Sequence, residues 1–431
     1  MYARKHLRPV TARPLAFLWA ALCLLLAGVA QAQGVPTGPL RVGVVVPLKV
    51  GEPLADAVAA SAASGAAMAH DEFAFNAEML GIEFAVLTRE ASGGEAVVAA
   101  AEELVAEGAY AIAGGFSLEE AAALAAWSAE AGVPYFNVGS SADVLRQEQC
   151  QPTAVHIEPS AAMYLDSLAG WYVRSGYRQW FFVRGTDPES SAQLQRVQRG
   201  LRERHFGARS VGDVAVEPGA DLTPVVDRVR RSGADLVLLL LPADEQLRVL
   251  AALEGAGVQV EVTGYPYPEA QTRAFYAASR EAAPRLGTLH RATAWEATLD
   301  AYGARELNAR YRQQFGGQPM EAPAWAVYQA VKLAYEAAFF GGGTSAEQVL
   351  GYLEAETTVF DVWKGIGTTF RPWDGQLRQS LYLVKISETE TDPFTLVTLV
   401  GELPAIYMPG TDPVERLDQI GDLAAASRCR R

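Results

Sequence analysis

The residues best placed to do chemistry are serines that follow two short apolar runs. Ala109 to Ala113 reads as a buried strand and ends in Gly114-Gly115-Phe116-Ser117. Tyr135 to Val138 reads as the next parallel strand and ends in Gly139-Ser140-Ser141. Ser117, with Glu120 three residues on, fits a capping box that opens a helix. That helix puts Leu124, Trp127 and Ala131 on one face and stops at Gly132, with Pro134 just beyond. Hydroxyls and unpaired N–H groups at helix starts suit an anion, and the carboxyl ends of parallel strands border the ligand crevice of an open α/β sheet. The chemistry indicated is binding, with this segment forming half of a small-molecule cleft. An ordinary βαβ unit whose serines only cap helices is the alternative.

A catalytic constellation is not visible. His6, His70, His156, His205 and His290 are scattered and lack the spacing of a zinc helix, so no metal is expected. There is no G-x-S-x-G elbow and no phosphate loop ending in Gly-Lys-Ser/Thr, and no cofactor is implied. His70 beside Asp71 and Glu72 reads as a solvated helix end. The pairs Glu102-Glu103 and Glu119-Glu120 read as solvent faces of alanine-rich helices. The expectation is therefore not an enzyme; an exported hydrolase with a site assembled from distant residues is the least favoured alternative.

Composition narrows the setting. Residues 1–32 have a basic front (Arg4, Lys5, Arg8, Arg13), an apolar run from Leu15 to Val29, and Ala30-Gln31-Ala32 as a small-x-small cleavage pattern, which together read as a secretory signal. The apolar run is short for a membrane span. Without the leader's four basic groups the formal charge moves from −14 to −18, a poor match for nucleic acid or anionic lipid. The cysteines left are Cys150 and Cys429. In an oxidising compartment they are expected to pair and tie the C-terminal tail to the end of the first lobe, two unlinked thiols being the alternative.

The elements that must position the serines follow a repeating β-α pattern. Arg41 to Pro47 is a β-branched strand, Ala55 to Phe73 an alanine-rich helix, Gly81 to Leu87 a strand and Gly94 to Glu107 a helix, leading into the segment above. After Cys150 the pattern repeats: Ala161 to Ser175 as an amphipathic helix, then strands at Trp180 to Arg184, Ala208 to Val216, Asp235 to Leu241 and Gln259 to Thr263 with helices between. Three helical stretches (Asp300 to Phe315, Pro323 to Phe340, Ala346 to Thr357) follow. An Asp-Gly hairpin turn around Phe370 to Gly375, a strand from Leu381 to Ile386 and a Pro-rich tail complete the chain. The fold class is α/β, two Rossmann-like lobes with parallel sheets joined by a multi-crossing hinge. The expected division is 39–155 plus 287–365 for the first lobe, 156–286 plus 366–400 for the second, and 401–431 for the tail.

In this order the segments LVAEGAYAIAGGFS, AGVPYFNVGSS, HIEPSAAMYLDSLAGWYV and DLVLLLLPADEQLRVLAALEGAG resemble the type I periplasmic binding proteins that serve ABC importers of branched-chain amino acids. The likeness covers nearly all of the mature chain. The segment TFRPWDGQLRQ is similar to a subgroup encoded with quinoprotein, pyrroloquinoline-quinone-dependent alcohol dehydrogenases. The resemblance implies a periplasmic solute-binding component, a small-molecule ligand, an inner-membrane ABC permease as partner, and a link to such a quinoprotein dehydrogenase system. A ligand-sensing or interaction protein of the same fold is the alternative.

The resemblance also implies site residues. Ser117, next to Phe116, and Gly139 with the Ser140-Ser141 pair match the positions that hold an amino-acid carboxylate. In the second lobe the sequence departs from the family. Its first loop, Asp187-Pro188-Glu189-Ser190, offers Glu189 where an aromatic is expected. The later turn is Tyr265-Pro266-Tyr267, with Glu269 displaced from the acidic position that meets an ammonium. A free α-amino acid is thereby disfavoured, and Tyr265 and Tyr267 suggest a stacking or apolar wall. Trp295 and Trp325 read as core. Arg371, Trp373 and Asp374 read as a hairpin turn with a surface Arg-Asp pair, the alternative being a docking or cleft-edge element.

Overall fold

The computed structural model describes residues 38–404 and 410–429, and the leader expected over residues 1–32 lies outside the described residues. Strands β1 (Leu40–Val46), β2 (Phe84–Glu90), β3 (Ala111–Gly114), β4 (Tyr135–Asn137) and β5 (Ala154–His156) alternate with helices α1 (Pro53–Glu78), α2 (Gly94–Ala106) and α3 (Leu118–Ala131). They form one parallel sheet in the order β2-β1-β3-β4-β5. Helices cover both faces, which is why β1 and β3 read as unbroken apolar runs. β2 starts three residues later than the apolar pattern suggests. Gly81 takes φ 73° and the Ile82 N–H bonds Ala77, so residues 79–83 finish the turn out of α1. At its far end an edge strand tolerates Thr88, Arg89 and Glu90. Because α1 runs on to Glu78, His70 is not at a solvated helix end; its Nδ1 accepts from the Val86 N–H of β2 at 3.0 Å.

The second lobe repeats the plan. Helices α4 (Ala161–Arg174), α5 (Pro188–Glu203), α6 (Thr223–Ser232) and α7 (Ala243–Gly255) alternate with strands β6 (Gln179–Gly185), β7 (Arg209–Val216), β8 (Leu236–Leu240) and β9 (Glu261–Gly264). The sheet is parallel, in the order β7-β6-β8-β9. A helix the sequence reading did not anticipate, α8 (Arg273–Ala282), follows the Tyr265–Tyr267 turn. Thr272 caps it by accepting from the Phe275 N–H, and it buries only Phe275, Tyr276 and Ser279.

Beyond it the order changes: β10 (His290–Thr293), α9 (Ala304–Gln314), α10 (Ala322–Phe340), α11 (Ala346–Leu353), β11 (Leu381–Ile386) and β12 (Val397–Leu403), with a short α12 (Pro413–Leu417) in the tail. β10, β11 and β12 make an antiparallel sheet, so the tail expected after Ile386 contains a strand. The three helices pack on the first lobe. α9 reaches α1 through Tyr311 to Ser64 at 2.5 Å and Arg310 to Glu72 at 3.3 Å. α10 crosses α1 so closely that a Cβ on Gly65 would lie 2.2 Å from the Ala324 carbonyl oxygen. Trp295 and Trp325 are stacked core residues, ring centroids 5.7 Å apart.

The Arg371–Asp374 pair is not on the surface. Both side chains are buried, at 3% and 1% exposure, with paired bonds of 3.0 and 2.6 Å. The turn they close at Gly375 (φ 66°) docks onto β5, where His156 N–H bonds the Gly375 carbonyl at 2.9 Å. Arg371 and Trp373 both donate to the Asp422 carbonyl, and a disulfide joins Cys150 to Cys429, Cα atoms 5.6 Å apart. This element is a clasp for the C-terminal tail rather than a cleft edge.

Candidate ligand cleft

Every strand of the two parallel sheets that faces the gap ends in a turn that starts a helix. From the first lobe these turns bring Glu52 through Ala55, Phe116 through Leu118, and Gly139 through Ser141 to one cavity. From the second they bring Asp187 and Glu189, Pro242 through Asp244 with Leu247, and Tyr267 through Glu269. The cavity measures about 860 Å³, within the range of small-molecule sites.

Of the residues singled out from the sequence, Phe116, Ser117, Gly139, Ser140, Ser141, Glu189 and Tyr267 line this cavity together. Tyr265 does not. It is fully buried behind the wall, its hydroxyl 2.7 Å from Ser141 Oγ and its ring edge-on to Tyr267. Only one of the two tyrosines is therefore a wall: an extended run would set both on one face, but the Tyr267 N–H bonds the Tyr265 carbonyl at 3.0 Å in a three-residue turn centred on Pro266, which turns the two side chains apart.

Ser117 caps α3, accepting from the Glu120 N–H at 3.2 Å, but the expected capping box does not close, because the Glu120 carboxylate reaches back to the Phe116 N–H rather than to that of Ser117. Glu120 does not face solvent. It is 7% exposed and accepts from the Phe116 and Gly93 N–H groups, both at 3.0 Å, while Glu119 accepts from Gly94. The face of α3 that is buried runs through Ala121, Leu124, Ala125 and Ser128, leaving Ala131 exposed.

The second turn is held as firmly. Asn137 Oδ1 accepts from the Gly139 and Ser140 N–H groups at 3.3 and 3.0 Å, and its Nδ2 donates to the Ser140 carbonyl at 2.7 Å. Arg146, buried, donates to the carbonyls of Ser140, Ala142 and Glu158 and to Gln376 Oε1, at 2.7–3.0 Å. Phe116, Gly139 and Ser140 thus have no backbone N–H left over for an anion, and Ser141 Oγ is engaged by Tyr265.

Four of the five lining carboxylates stand on the opposite wall, Glu52 alone coming from the first lobe. Glu52, Asp187, Glu189, Asp244 and Glu269 line the cavity, and among the described residues no lysine, arginine or histidine does. Asp187 caps α5 through Ser190, whereas Glu189 has no hydrogen-bond or ion-pair partner among the described residues. Burial, with Asp187 and Asp143 nearby, pushes the Glu189 carboxyl up to about 7, and burial likewise raises Glu269. Glu52 and Asp244 were missed from sequence, although the strand-end rule that pointed to Ser117 applies equally after β1 and β8. Among the described residues no group of three or more His, Cys, Asp or Glu could hold a metal, and no helix is long and apolar enough to cross a membrane.

Two parallel α/β lobes with strand ends meeting at a ligand-sized gap define a two-lobed solute-binding protein. A family model described as periplasmic binding protein matches residues 39–391, and the chain belongs to that family, whose members are periplasmic substrate-binding proteins of the ABC-transporter type. The fold is similar to an amino acid ABC transporter substrate-binding protein from Pseudomonas fluorescens (14% identity, 92% of this chain and 100% of that one, TM-score 0.74). It is also similar to a branched chain amino acid ABC transporter periplasmic ligand-binding protein from Burkholderia xenovorans (17%, 84% and 95%, TM-score 0.74). A third is an ABC transporter solute binding protein from Rhodopseudomonas palustris in complex with 3,4-dihydroxybenzoic acid (18%, 86% and 99%, TM-score 0.68). Comparison with curated proteins gives no sequence match.

Proposed function

We propose that this chain is exported by its leader, binds a small solute between its lobes, and hands it to an inner-membrane ABC permease, without catalysing a reaction on it. The observation that carries this reading is the cavity of about 860 Å³ to which both lobes contribute helix-start turns. A solute touching both walls would favour the closed arrangement by its differential affinity for it. Phe116, Ser117, Gly139, Ser140, Ser141, Glu189 and Tyr267 are the contacts we assign to it, with Tyr265 supporting Ser141 from behind.

The test is a thermal-shift screen of the mature protein against amines, amino acids, short carboxylates, alcohols and aromatic compounds, followed by small-angle scattering with each hit. A saturable rise in Tm, with compaction of the scattering envelope, is the expected result. Hydrolytic turnover of any hit by the pure protein would overturn it.

The likeness of TFRPWDGQLRQ to the quinoprotein-associated subgroup supports a link to a pyrroloquinoline-quinone-dependent alcohol dehydrogenase system. Loss of alcohol oxidation in a strain lacking this protein, restored by the gene in trans, would support the link; unchanged oxidation would remove it.

A further inference from the structure

A second cavity, about 340 Å³, opens beside the main cleft and shares Leu118 and Glu189 with it. It lies between α3 and the segment after β4 on one side and α5 on the other. Its walls are mostly apolar, with Val144 and Ala192 facing it, and its polar residues include Asp143, Glu189 and Gln193. Glu189 and Gln193 are four residues apart on α5 and so neighbours on one helix face.

What these groups lack is informative. Gln193 is 2% exposed; its Nε2 donates to the Tyr267 hydroxyl at 2.9 Å, and its Oε1 is buried without any partner. A buried acceptor in that condition calls for a donor from outside the chain. Glu189 is unpartnered as well, and Asp143 uses one oxygen on the Ala162 N–H at 3.0 Å. Among the described residues neither cavity is lined by a cationic side chain. The arginines nearest Asp143 are committed elsewhere: Arg146 to four oxygens, and Arg196 to Asp166 and Asp422.

We propose, resting on the solute-binding reading above, that the solute is an organic cation without a carboxylate: an ammonium group received by Glu189 and Gln193 Oε1 with Asp143 behind them, and an apolar body lying against Leu118, Val144 and Ala192. An organic cation fits better than a metal ion because the carboxylates are spread along the cavities and do not converge on one point. It fits better than an α-amino acid because the N–H groups of Phe116, Gly139 and Ser140 are taken internally and, among the described residues, no cationic side chain lines the cavity to meet a carboxylate.

The ionisation of the pocket agrees. Glu189, with Asp187 and Asp143 facing it, is pushed up to about 7, chiefly by burial. Asp143, with Asp422, Arg196 and Arg146 around it, is pushed up to about 6, again chiefly by burial. A bound cation reverses that penalty, so its affinity rises as these groups lose their protons between about pH 5 and pH 8.

The test compares three probes with one ring and different charge, benzylamine, benzyl alcohol and benzoate, by titration calorimetry on the mature, disulfide-intact protein, with hexylamine and phenethylamine extending the amine set. At least one amine is expected to bind about tenfold or more tightly than the alcohol, with no binding of benzoate, and Glu189→Gln and Gln193→Leu are each expected to weaken it by about tenfold. Equal or tighter binding of benzoate or the alcohol, or an amine affinity indifferent to Glu189→Gln, would overturn the cation assignment while leaving a solute-binding protein. So would tight binding of Ca²⁺ alone that displaces the amine, or no binding of any amine at millimolar concentration. Should the broader screen also give no solute that compacts the protein, the solute-binding reading itself fails.

Discussion

On the first-lobe wall of the cleft the N–H groups of Phe116, Gly139 and Ser140 are consumed within the Gly-Ser turns, whereas on the second-lobe wall, among the described residues, Glu189 stands with nothing to answer it and Asp187 is met only by Ser190. Both walls are built alike, from parallel strands ending in helix starts. The difference lies in which side chains reach the turns first. Glu120 takes the Phe116 and Gly93 N–H groups and Asn137 takes those of Gly139 and Ser140, while Arg146 fixes the carbonyls of Ser140 and Ala142. Nothing comparable reaches Glu189. Strand-end architecture therefore decides where a solute is met, and the occupancy of the turn decides the sign of charge it meets.

The largest way to break this contrast is to remove the brace of the first wall. Arg146 is buried and serves four oxygen acceptors on the turn, on Glu158 and on Gln376. Arg146→Met takes a charged donor from each of those four oxygens, leaving the Ser140, Ala142 and Glu158 carbonyls one partner apiece (Asn137, Leu145 and Gln376), and is expected to cost about 3–5 kcal/mol, the range for deleting one member of a buried charged network. Urea unfolding would show it as a lower midpoint at unchanged m. Arg146→Lys, with a compact ammonium in place of the fork, is expected to recover only part of the loss. Wild-type stability in the methionine variant would mean that the turn holds itself.

A smaller effect sharpens the contrast on the second wall. Glu189 holds its proton more tightly in the folded protein, near 7, than at its ordinary value of 4.5. The folded state therefore binds the extra proton between those values, and ligand-free stability falls as pH rises from 4.5 through about 7. Glu189→Gln removes that slope. The variant is expected to be more stable than wild type at pH 8 by on the order of 1–2 kcal/mol, with the difference vanishing below about pH 4.5. Parallel Tm-against-pH curves for the two proteins would contradict the unpaired, repelled state assigned to Glu189.

How much of this was legible beforehand follows from what a linear pattern can carry. The β-α alternation, the Ser117 cap and the stop at Gly132 are local, set by residues within one turn of each other, and they read correctly. The edge strand β2 was misplaced because its ends depend on a turn conformation and on solvent. α8 and β12 were unread because α8 buries a narrow face of three residues and β12 interrupts its apolar run with Gly401 and Glu402. Of the candidate site, the turns were legible and their chemistry was not. Glu120, Asn137 and Arg146 act on N–H and carbonyl groups whose availability is visible only once the chain is folded. The burial of Arg371 and Asp374 depends likewise on the docking of a tail some fifty residues further along.

The smallest effect concerns the one sequence-predicted site residue that the cavity excludes. Tyr265 lies behind Ser141, and each hydroxyl is the other's partner at 2.7 Å. Tyr265→Phe keeps the ring against Tyr164 and Tyr267 and removes only that bond, and Ser141→Ala removes it from the other side. Each change is expected to cost about 1 kcal/mol, since it leaves one buried hydroxyl unpaired, and the double variant should cost little more than either alone because the pair fails as a unit. Additive losses would mean that the two hydroxyls have separate partners, and would return Tyr265 to the ligand side of the wall. Amine affinity gives an independent reading: if the second-lobe carboxylates carry recognition, Tyr265→Phe should leave it within about twofold of wild type, far less than the change expected for Glu189→Gln.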